Sequence, residues 1–191
     1  MLPAILLFIL ATAYRVVLGF AGSGNSWAFD FAPLAALALC GPSLFPRRFA
    51  FALPLAALLA SDIALNIHYG AALFSGMMLT RYVALALITV LGMWLKGSRR
   101  PAAWLACSAA GSLGFYLLTN SASWLSDPAY AKTLAGWVQA LTIGIPGYPP
   151  TWMFFRNAFV SDMLFTMLIV LCLLPRTAAR PAVALESTAR S

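Results

Sequence analysis

The sequence has few charged side chains. Asp, Glu, Lys and Arg together make up 9% of the 191 residues, whereas hydrophobic residues make up 62%. A typical soluble domain is about one quarter charged, and a soluble core of this size cannot cover so much apolar surface. The composition therefore excludes an ordinary soluble enzyme or binding module. It predicts an all-α polytopic membrane protein whose apolar surface faces lipid.

The sequence also lacks the residues from which most catalytic and metal sites are built. It has one histidine, His68, and an odd number of cysteines, three, which all fall in apolar stretches and are expected to be buried and inert. No phosphate-binding glycine loop, metal-ligand cluster or redox pair is present. A nucleophile made of His68 with Ser61 or Ser75 has no further support in the pattern. We therefore expect no enzymatic activity and no cofactor.

Apolar runs divided by glycine, proline, asparagine and charged residues predict membrane spans in a single domain, residues 1–175. At about 20 residues per helix, the length of the chain has room for about six. The second run is short, so its helix is tilted, broken near Gly41-Pro42 or only partly inserted. The predicted spans are 2–20, 31–45, 49–67, 71–96, 101–120 and 151–175.

Three segments need a separate interpretation. Residues 1–20 are interpreted as a retained first helix, with a cleaved signal peptide as the alternative, because no basic residue precedes the apolar run. An apolar piece at 134–145 is too short to cross a bilayer and is typical of an interfacial or re-entrant helix. The tail 176–191 is polar and is expected to be disordered.

The basic residues are divided unequally between the loops. Eight fall on one side of the predicted spans, and only Lys132 falls in a loop on the other. The positive-inside rule then places the first set and both termini in the cytoplasm. The net charge of +7 is thus a topology signal, and no nucleic-acid partner is expected. The eight residues are Arg47, Arg48, Lys96, Arg99, Arg100, Arg176, Arg180 and Arg190.

Two predicted spans carry small residues at every fourth position. Such ridges let helix backbones approach closely, which matters because lipid supplies no hydrophobic drive for helix association. They are expected to pack within this chain, and docking of a separate membrane protein is the alternative. The ridges are Ala52, Ala56, Ala60 and Ala64 in the third span and Ala102, Ala106, Ala110 and Gly114 in the fifth.

Three arginines and three aspartates lie within the spans or at their ends. At about 1.5 Å of rise per residue, all six fall in the outer half or at the midplane of the predicted topology. A charge at the centre of a membrane helix costs roughly 2.5 to 3.5 kcal/mol, so these groups must face one another or water. Arg156 and Asp162 are about 240° apart around their helix and point to different faces. The six residues are Arg15, Asp30, Asp62, Arg81, Arg156 and Asp162.

Two interpretations of these residues stay open. In the first they line an externally open cavity that binds a small solute, and in the second they form ion pairs that only hold helices together. Their confinement to the outer half favours the cavity, because structural pairs have no reason to avoid the inner half. Aromatic residues crowd the same end, as an interfacial belt or as stacking walls for a flat ligand. The candidate substrate-binding residues are Asp62, Arg81, Arg156, Asn157 and Asp162, with Arg15, His68 and Asn120 nearer the mouth.

Five segments together resemble a family of bacterial membrane proteins. The similarity runs in order from Asn25 to Leu174 through FAPLAALALCGP, LPLAALLASDIALNIHYG, TNSASWL, YAKTLAGWVQALTIGIPGY and FFRNAFVSDMLF. Its most specific pieces are Ser61-Asp62, Thr119-Asn120 and the stretch from Arg156-Asn157 to Ser161-Asp162. The family has no assigned function and is usually labelled as transport proteins. It is similar to the S components, the substrate-binding membrane subunits of energy-coupling factor transporters.

The resemblance implies a fold and partners. An S-component-like bundle has six helices, both termini in the cytoplasm and an external pocket for a vitamin. It docks a transmembrane coupling protein with two ATPases through small residues on its first helix. The first span here lacks Ala-x-x-x-Ala, and the nearest ridges are Ala32/Ala36 and the one in the third span.

The resemblance also implies a candidate metal ligand. Some solitary relatives transport cobalamin and bind its cobalt through a cysteine in the loop after the third helix. The corresponding loop here contains His68 and no cysteine, which makes His68 a candidate cobalt ligand. We therefore expect an uptake protein for a small solute, a vitamin or cofactor precursor, with cobalamin as one candidate. The alternative is a structural or assembly subunit.

Overall fold

The described chain is entirely helical. The structure is a computed structural model that describes residues 2–20 and 33–172. Within these ranges it contains α-helices and no strand, which confirms the all-α prediction for this part of the chain. The helices are α1 (Leu2–Phe20), α2 (Leu34–Leu44), α3 (Arg47–His68), α4 (Gly76–Trp94), α5 (Pro101–Ser126), α6 (Leu134–Leu141) and α7 (Thr151–Cys172).

Four of these helices, α3, α4, α5 and α7, are long and apolar enough to cross a membrane. Two shorter apolar helices, Phe8–Phe20 within α1 and α2 itself, accompany them. Large apolar side chains project from the outer faces of the bundle, where lipid would cover them. The chain is therefore a membrane-embedded helical protein. The number of its spans stays a prediction.

The helix boundaries differ from the predicted spans where local hydrogen bonding outweighs hydropathy. Helix α4 begins at Gly76 rather than at residue 71, because the Ser75 hydroxyl accepts a hydrogen bond (3.3 Å) from the first turn and caps the helix. Helix α5 continues past residue 120 to Ser126, whose hydroxyl donates to a carbonyl one turn earlier. The piece at 134–145 is helical only over α6, eight residues long. Residues 173–175 and the tail 176–191 lie outside the described ranges.

Helix α2 is the central helix of the bundle. It contacts α1, α3, α4, α5 and α7, and its residues 36–42 are all buried. The helix runs through Gly41-Pro42 to Leu44, so the break considered there does not occur. Gly92 of α4 allows the close approach of the two helices, since a Cβ at this position would lie 1.9 Å from the Leu39 carbonyl oxygen. At 11 residues, α2 fills only part of the bundle axis.

The helices alternate in direction along the chain and define two ends of the bundle. Helices α1, α3 and α5 end where α2, α4 and α7 begin, and we call this the cavity end, after the cavity described below. The opposite end, the basic end, holds the start of α3 and the α4–α5 loop. Lys132 lies at the cavity end, and Arg176, Arg180 and Arg190 lie outside the described residues. The basic end carries Arg47, Arg48, Lys96, Arg99 and Arg100.

The small-residue ridges of α3 and α5 face outward. Of the eight positions only Ala64 is partly buried, and the other seven are exposed on the outside of the bundle. A Cβ at Gly114 would meet no atom within 4 Å. The prediction that these ridges pack within the chain is therefore wrong for the described residues, and docking of a separate protein stays open.

The three cysteines are free thiols. Cys40 is buried in α2, as predicted from its apolar surroundings. Cys107 is only half-buried and Cys172 is exposed, so the expectation of burial is wrong for Cys172. These two lie on α5 and α7, whose outer faces are also apolar, and hydropathy alone does not separate an inner face from an outer one in a membrane protein.

Candidate functional site

A single carboxylate on α3 pairs with two arginines from neighbouring helices. Arg15 Nη1 on α1 donates to Asp62 Oδ1 at 2.9 Å, and Arg81 Nη2 on α4 donates to Asp62 Oδ2 at 3.3 Å. The Arg15 guanidinium also donates to the Ser61 hydroxyl, which in turn donates to the Leu58 carbonyl at 2.9 Å. We call Arg15, Asp62 and Arg81 the charge triad.

Burial explains why Asp62 is paired with two arginines. The side chain of Asp62 is 2% exposed, that of Arg15 19% and that of Arg81 32%. An ionised carboxylate removed from water is stable only when it is paired and hydrogen-bonded. Two cations share one anion, so the triad carries a net charge of +1. It ties α1, α3 and α4 together and leaves one positive charge unbalanced within the triad.

Arg81 has donor capacity that the described protein does not use. A guanidinium carries five N–H donors. The hydrogen bond to Asp62 is the only one that Arg81 makes with the described residues, and its Nε is buried without a partner. An unsatisfied buried donor costs about 1–3 kcal/mol. The side chain as a whole is 32% exposed and lines the cavity described below, so an acceptor group of a ligand can reach the donors at its Nη end.

A second polar cluster joins α5 to α7. The Ser112 hydroxyl donates to Asp162 Oδ2 at 2.5 Å, and one turn away the Thr166 hydroxyl donates to the Ser108 hydroxyl at 3.1 Å. All four side chains are buried. The spacing of four residues on each helix puts both pairs on facing sides, because i and i+4 lie on the same face. Asp162 is therefore held by α5 and not by the charge triad.

Arg156 and Asn157 form a local pair near the start of α7. Arg156 donates from Nε and Nη2 to Asn157 Oδ1, at 3.2 and 3.1 Å, and its guanidinium lies 5.5 Å from the ring centre of Trp152. Asn157 is buried. Neither residue lines the cavity described next, whereas Asp162 does. This agrees with the predicted offset between Arg156 and Asp162 around the helix.

A cavity of about 760 Å³ occupies the cavity end of the bundle. Its inner part is bounded by Arg15 and Arg81 on one side and by Ser112 and Asp162 on the other, while the first turn of α2 contributes Leu34 and Ala35. Helices α4 and α7, which carry Arg81 and Asp162, do not contact each other among the described residues, and both pack against α2. Aromatic side chains line much of the rest, namely Tyr69, Phe115, Tyr116, Tyr130, Tyr148, Phe154 and Phe155.

The α5–α7 connection forms the rim of this cavity. The Trp137 indole of α6 donates to the Ser121 hydroxyl at 2.8 Å, which fastens α6 to α5. Gly144 and Gly147 adopt positive φ of 70° and 92°, a conformation that glycine tolerates best, and the turn brings Tyr148 to the rim. Burial raises the pKa of the Tyr130 phenol, and the neighbouring Asp127 raises that pKa further. Tyr130 thus presents a neutral phenol at the rim.

Comparison with known proteins places the chain in a family. The model of a family of unknown function, DUF6580, matches residues 1–180, nearly the whole chain. The chain belongs to this family. Comparisons with curated proteins and with solved structures found no match.

The two remaining candidate residues of the DUF6580 chain lie in different surroundings. Asn120 lines the cavity, and its amide donates to the Tyr116 carbonyl at 2.8 Å. His68 is exposed and stacks on Phe20, with 4.3 Å between ring centres, and it does not line the cavity. The described residues contain no group of three or more His, Cys, Asp or Glu side chains that could hold a metal ion. Cobalt ligation by His68 stays a prediction.

Two serines of the site were not among the sequence candidates. Ser61 bonds Arg15, and Ser112 bonds Asp162, so both orient a charged candidate. A signal was present in each case. Ser61 directly precedes Asp62, and Ser108 and Ser112 have the same spacing of four as Asp162 and Thr166. Serine is common in membrane helices, which is why the residue type alone does not nominate it.

Proposed function

We propose that this protein is an S-component-like subunit that binds a small solute, a vitamin or cofactor precursor, for uptake across the bacterial inner membrane. The observation that carries the proposal is the cavity of about 760 Å³ with Arg15, Arg81 and Asp162 at its inner part. Pockets for small molecules have volumes of about 300–1,000 Å³ and combine apolar walls with a few polar groups. Cobalamin stays one candidate, through His68 at the same end.

The proposed topology has six spans, with α1 and α2 crossing alongside the four longer helices. Both termini lie in the cytoplasm and the cavity opens to the outside. The charge distribution supports this orientation, because five basic residues lie at the basic end and Lys132 lies at the cavity end. Cytoplasmic loops carry the excess of Lys and Arg.

The proposed energy source is a separate coupling protein with ATPases. Support comes from the small-residue ridges of α3 and α5, because seven of their eight positions are exposed on the outside of the bundle. A shallow apolar groove of about 420 Å³ between α4 and α5 includes Ala110 and Gly114. Small residues are the usual contacts between membrane helices of different proteins.

A structural or assembly subunit is the competing proposal. It is favoured by one observation, the full engagement of Asp62 by both arginines, because such a triad can serve only to hold α1, α3 and α4 together. It leaves the cavity and the unused donors of Arg81 without a role. We therefore favour the binding function.

Blocking the cavity tests the proposal. Ala158 of α7 lines the cavity, so Ala158→Trp would fill part of it, while Ala106→Trp adds the same side chain on the exposed face of α5. We expect wild type and A106W to retain a ligand from a vitamin panel by native mass spectrometry and to show a thermal shift, and A158W to lose both. Absence of any retained ligand or thermal shift in the wild type would contradict the binding function and leave the structural one.

A further inference from the structure

The inner part of the cavity has a cation with unused donors, and this restricts the ligand. Arg81 lines the cavity, and among the described residues it makes one hydrogen bond, to Asp62, and its buried Nε has no partner. A guanidinium offers paired N–H donors in a planar fork that matches a carboxylate or phosphate. A neutral acceptor would satisfy one donor, whereas a carboxylate satisfies two and also supplies charge.

The charge of the triad favours an anion with a single negative charge. Arg15 and Arg81 together carry +2 and Asp62 carries −1, so one further negative charge neutralises the group. Asp162 lies on the opposite side of the same cavity and is held by Ser112. A dianion such as a phosphate monoester would exceed the charge of the triad.

The start of α2 also favours an anionic ligand. Leu34 and Ala35, in the first turn of this central helix, line the cavity, and no side chain of the described residues caps the helix. The first N–H groups of a helix have no partner within it, and the helix dipole there favours negative charge. This contribution adds to that of Arg81 and does not replace it.

The aromatic residues of the remaining walls indicate what kind of body the ligand has. Phe115, Phe154 and Phe155 line the cavity beside the polar groups, and Tyr116 stacks near Phe155 with 4.6 Å between ring centres. Flat or apolar groups pack well against such rings. The geometry points to a small organic monoanion as the ligand, with its carboxylate on Arg81 and its apolar or aromatic body against these rings. This inference rests on the proposed binding function.

The test compares ligands that differ only in the acidic group. Nicotinate and nicotinamide, pantothenate and panthenol, and biotin and its amide are titrated into purified wild-type protein by thermal shift and calorimetry. We expect at least one carboxylate to bind, with its neutral counterpart about tenfold or more weaker, since the charge-assisted pair is lost. Pyridoxal and pyridoxal 5′-phosphate form a further pair, and tighter binding of the phosphate would overturn the assignment of a monoanion.

Variants of Arg81 test whether this residue causes the preference for a carboxylate over its neutral counterpart. Arg81→Gln should abolish the preference for the carboxylate, Arg81→Lys should keep part of it, and Arg48→Gln at the basic end should keep all of it. Asp62 retains Arg15 in each Arg81 variant, which preserves the shorter ion pair. Equal binding of acid and amide by the wild type, or an unchanged preference in R81Q, would overturn this inference while leaving the binding function intact. Failure of every vitamin, charged or neutral, would refute both.

Discussion

Asp62 lies where α1, α3 and α4 meet, and each of its carboxylate oxygens accepts a hydrogen bond from a different helix. The energetic cost of losing one member of this triad depends on which member is lost. Its removal leaves two cations in a region of low dielectric, whereas removal of one arginine leaves an intact pair. The stability of the bundle should therefore depend more on Asp62 than on either arginine alone.

We expect Asp62→Asn to destabilise the protein by about 3 kcal/mol, the lower range for breaking a buried ion pair by removing one partner. Arg81→Gln should cost less, because Arg15 still neutralises Asp62. Equilibrium unfolding in detergent micelles measures both. The double variant D62N/R81Q should be less destabilised than the sum of the single variants, since only one cation then lacks a counter-charge. A D62N protein as stable as the wild type would contradict the triad.

For single residues, the sequence predicts which side chains belong to the candidate site better than it predicts which of them contact one another. Charged groups inside apolar runs are rare enough to nominate Arg15, Asp62 and Arg81 directly. Their pairing depends on how three separate helices pack, which no local pattern contains. Arg156 illustrates the limit, because it bonds Asn157, its neighbour in the chain, and does not line the cavity. Asp30 lies outside the described residues.

Among the elements, α2 and α4 make the closest backbone approach discussed above, at Gly92. A methyl group there would lie 1.9 Å from the Leu39 carbonyl oxygen, so one helix must move. Gly114 on α5 is the matched control, since a methyl group would meet nothing within 4 Å. Both glycines lie within helices, and the two substitutions differ only in what surrounds the new methyl group.

We expect Gly92→Ala to destabilise the protein by about 1–3 kcal/mol, a cost typical of overpacking. Gly114→Ala should be neutral or slightly stabilising, because alanine favours a helix by up to about 1 kcal/mol over glycine. Thermal unfolding of the two purified variants in the same detergent compares them. Equal melting temperatures for the two variants would contradict the close α2–α4 contact.

The elements themselves are largely predictable, because a long apolar run in a membrane protein forms a helix that satisfies its own backbone. The failures have local causes. Ser75 caps α4 and delays its start, while α5 continues through Asn120 to Ser126 despite its polar residues. The outward direction of the small-residue ridges was not predictable, since lipid and protein accept alanine equally well.

The arrangement of the whole bundle leads to a test of topology. Six spans predict that the loops alternate between the two sides of the membrane, with the basic end in the cytoplasm. Green fluorescent protein inserted after Pro46 or Ser98 should fluoresce, because these positions are predicted to lie in the cytoplasm. Alkaline phosphatase inserted after Gly24, Ala72 and Ala129 should be active, because it folds only outside the cytoplasm.

The insertion after Gly24 separates six spans from four. If α1 and α2 do not cross, residues 24 and 46 both lie in the cytoplasm. The phosphatase after Gly24 would then be inactive, while the fluorescent protein after Pro46 would still fluoresce. Inversion of every reporter would instead contradict the orientation, while the alternation would remain. Activity of each fusion is compared with its amount on immunoblots, so that poor insertion is not mistaken for the wrong side.

The central position of α2 has a consequence for biosynthesis. This helix leaves the ribosome before α3 to α7, yet four of the five helices that surround it are among those later ones. Until α7 emerges, the buried face around Leu37 and Leu39 must be held by the insertion machinery or by lipid. Folding of the centre is therefore completed by the last helix, and chains truncated before α7 are expected to be removed by membrane proteases.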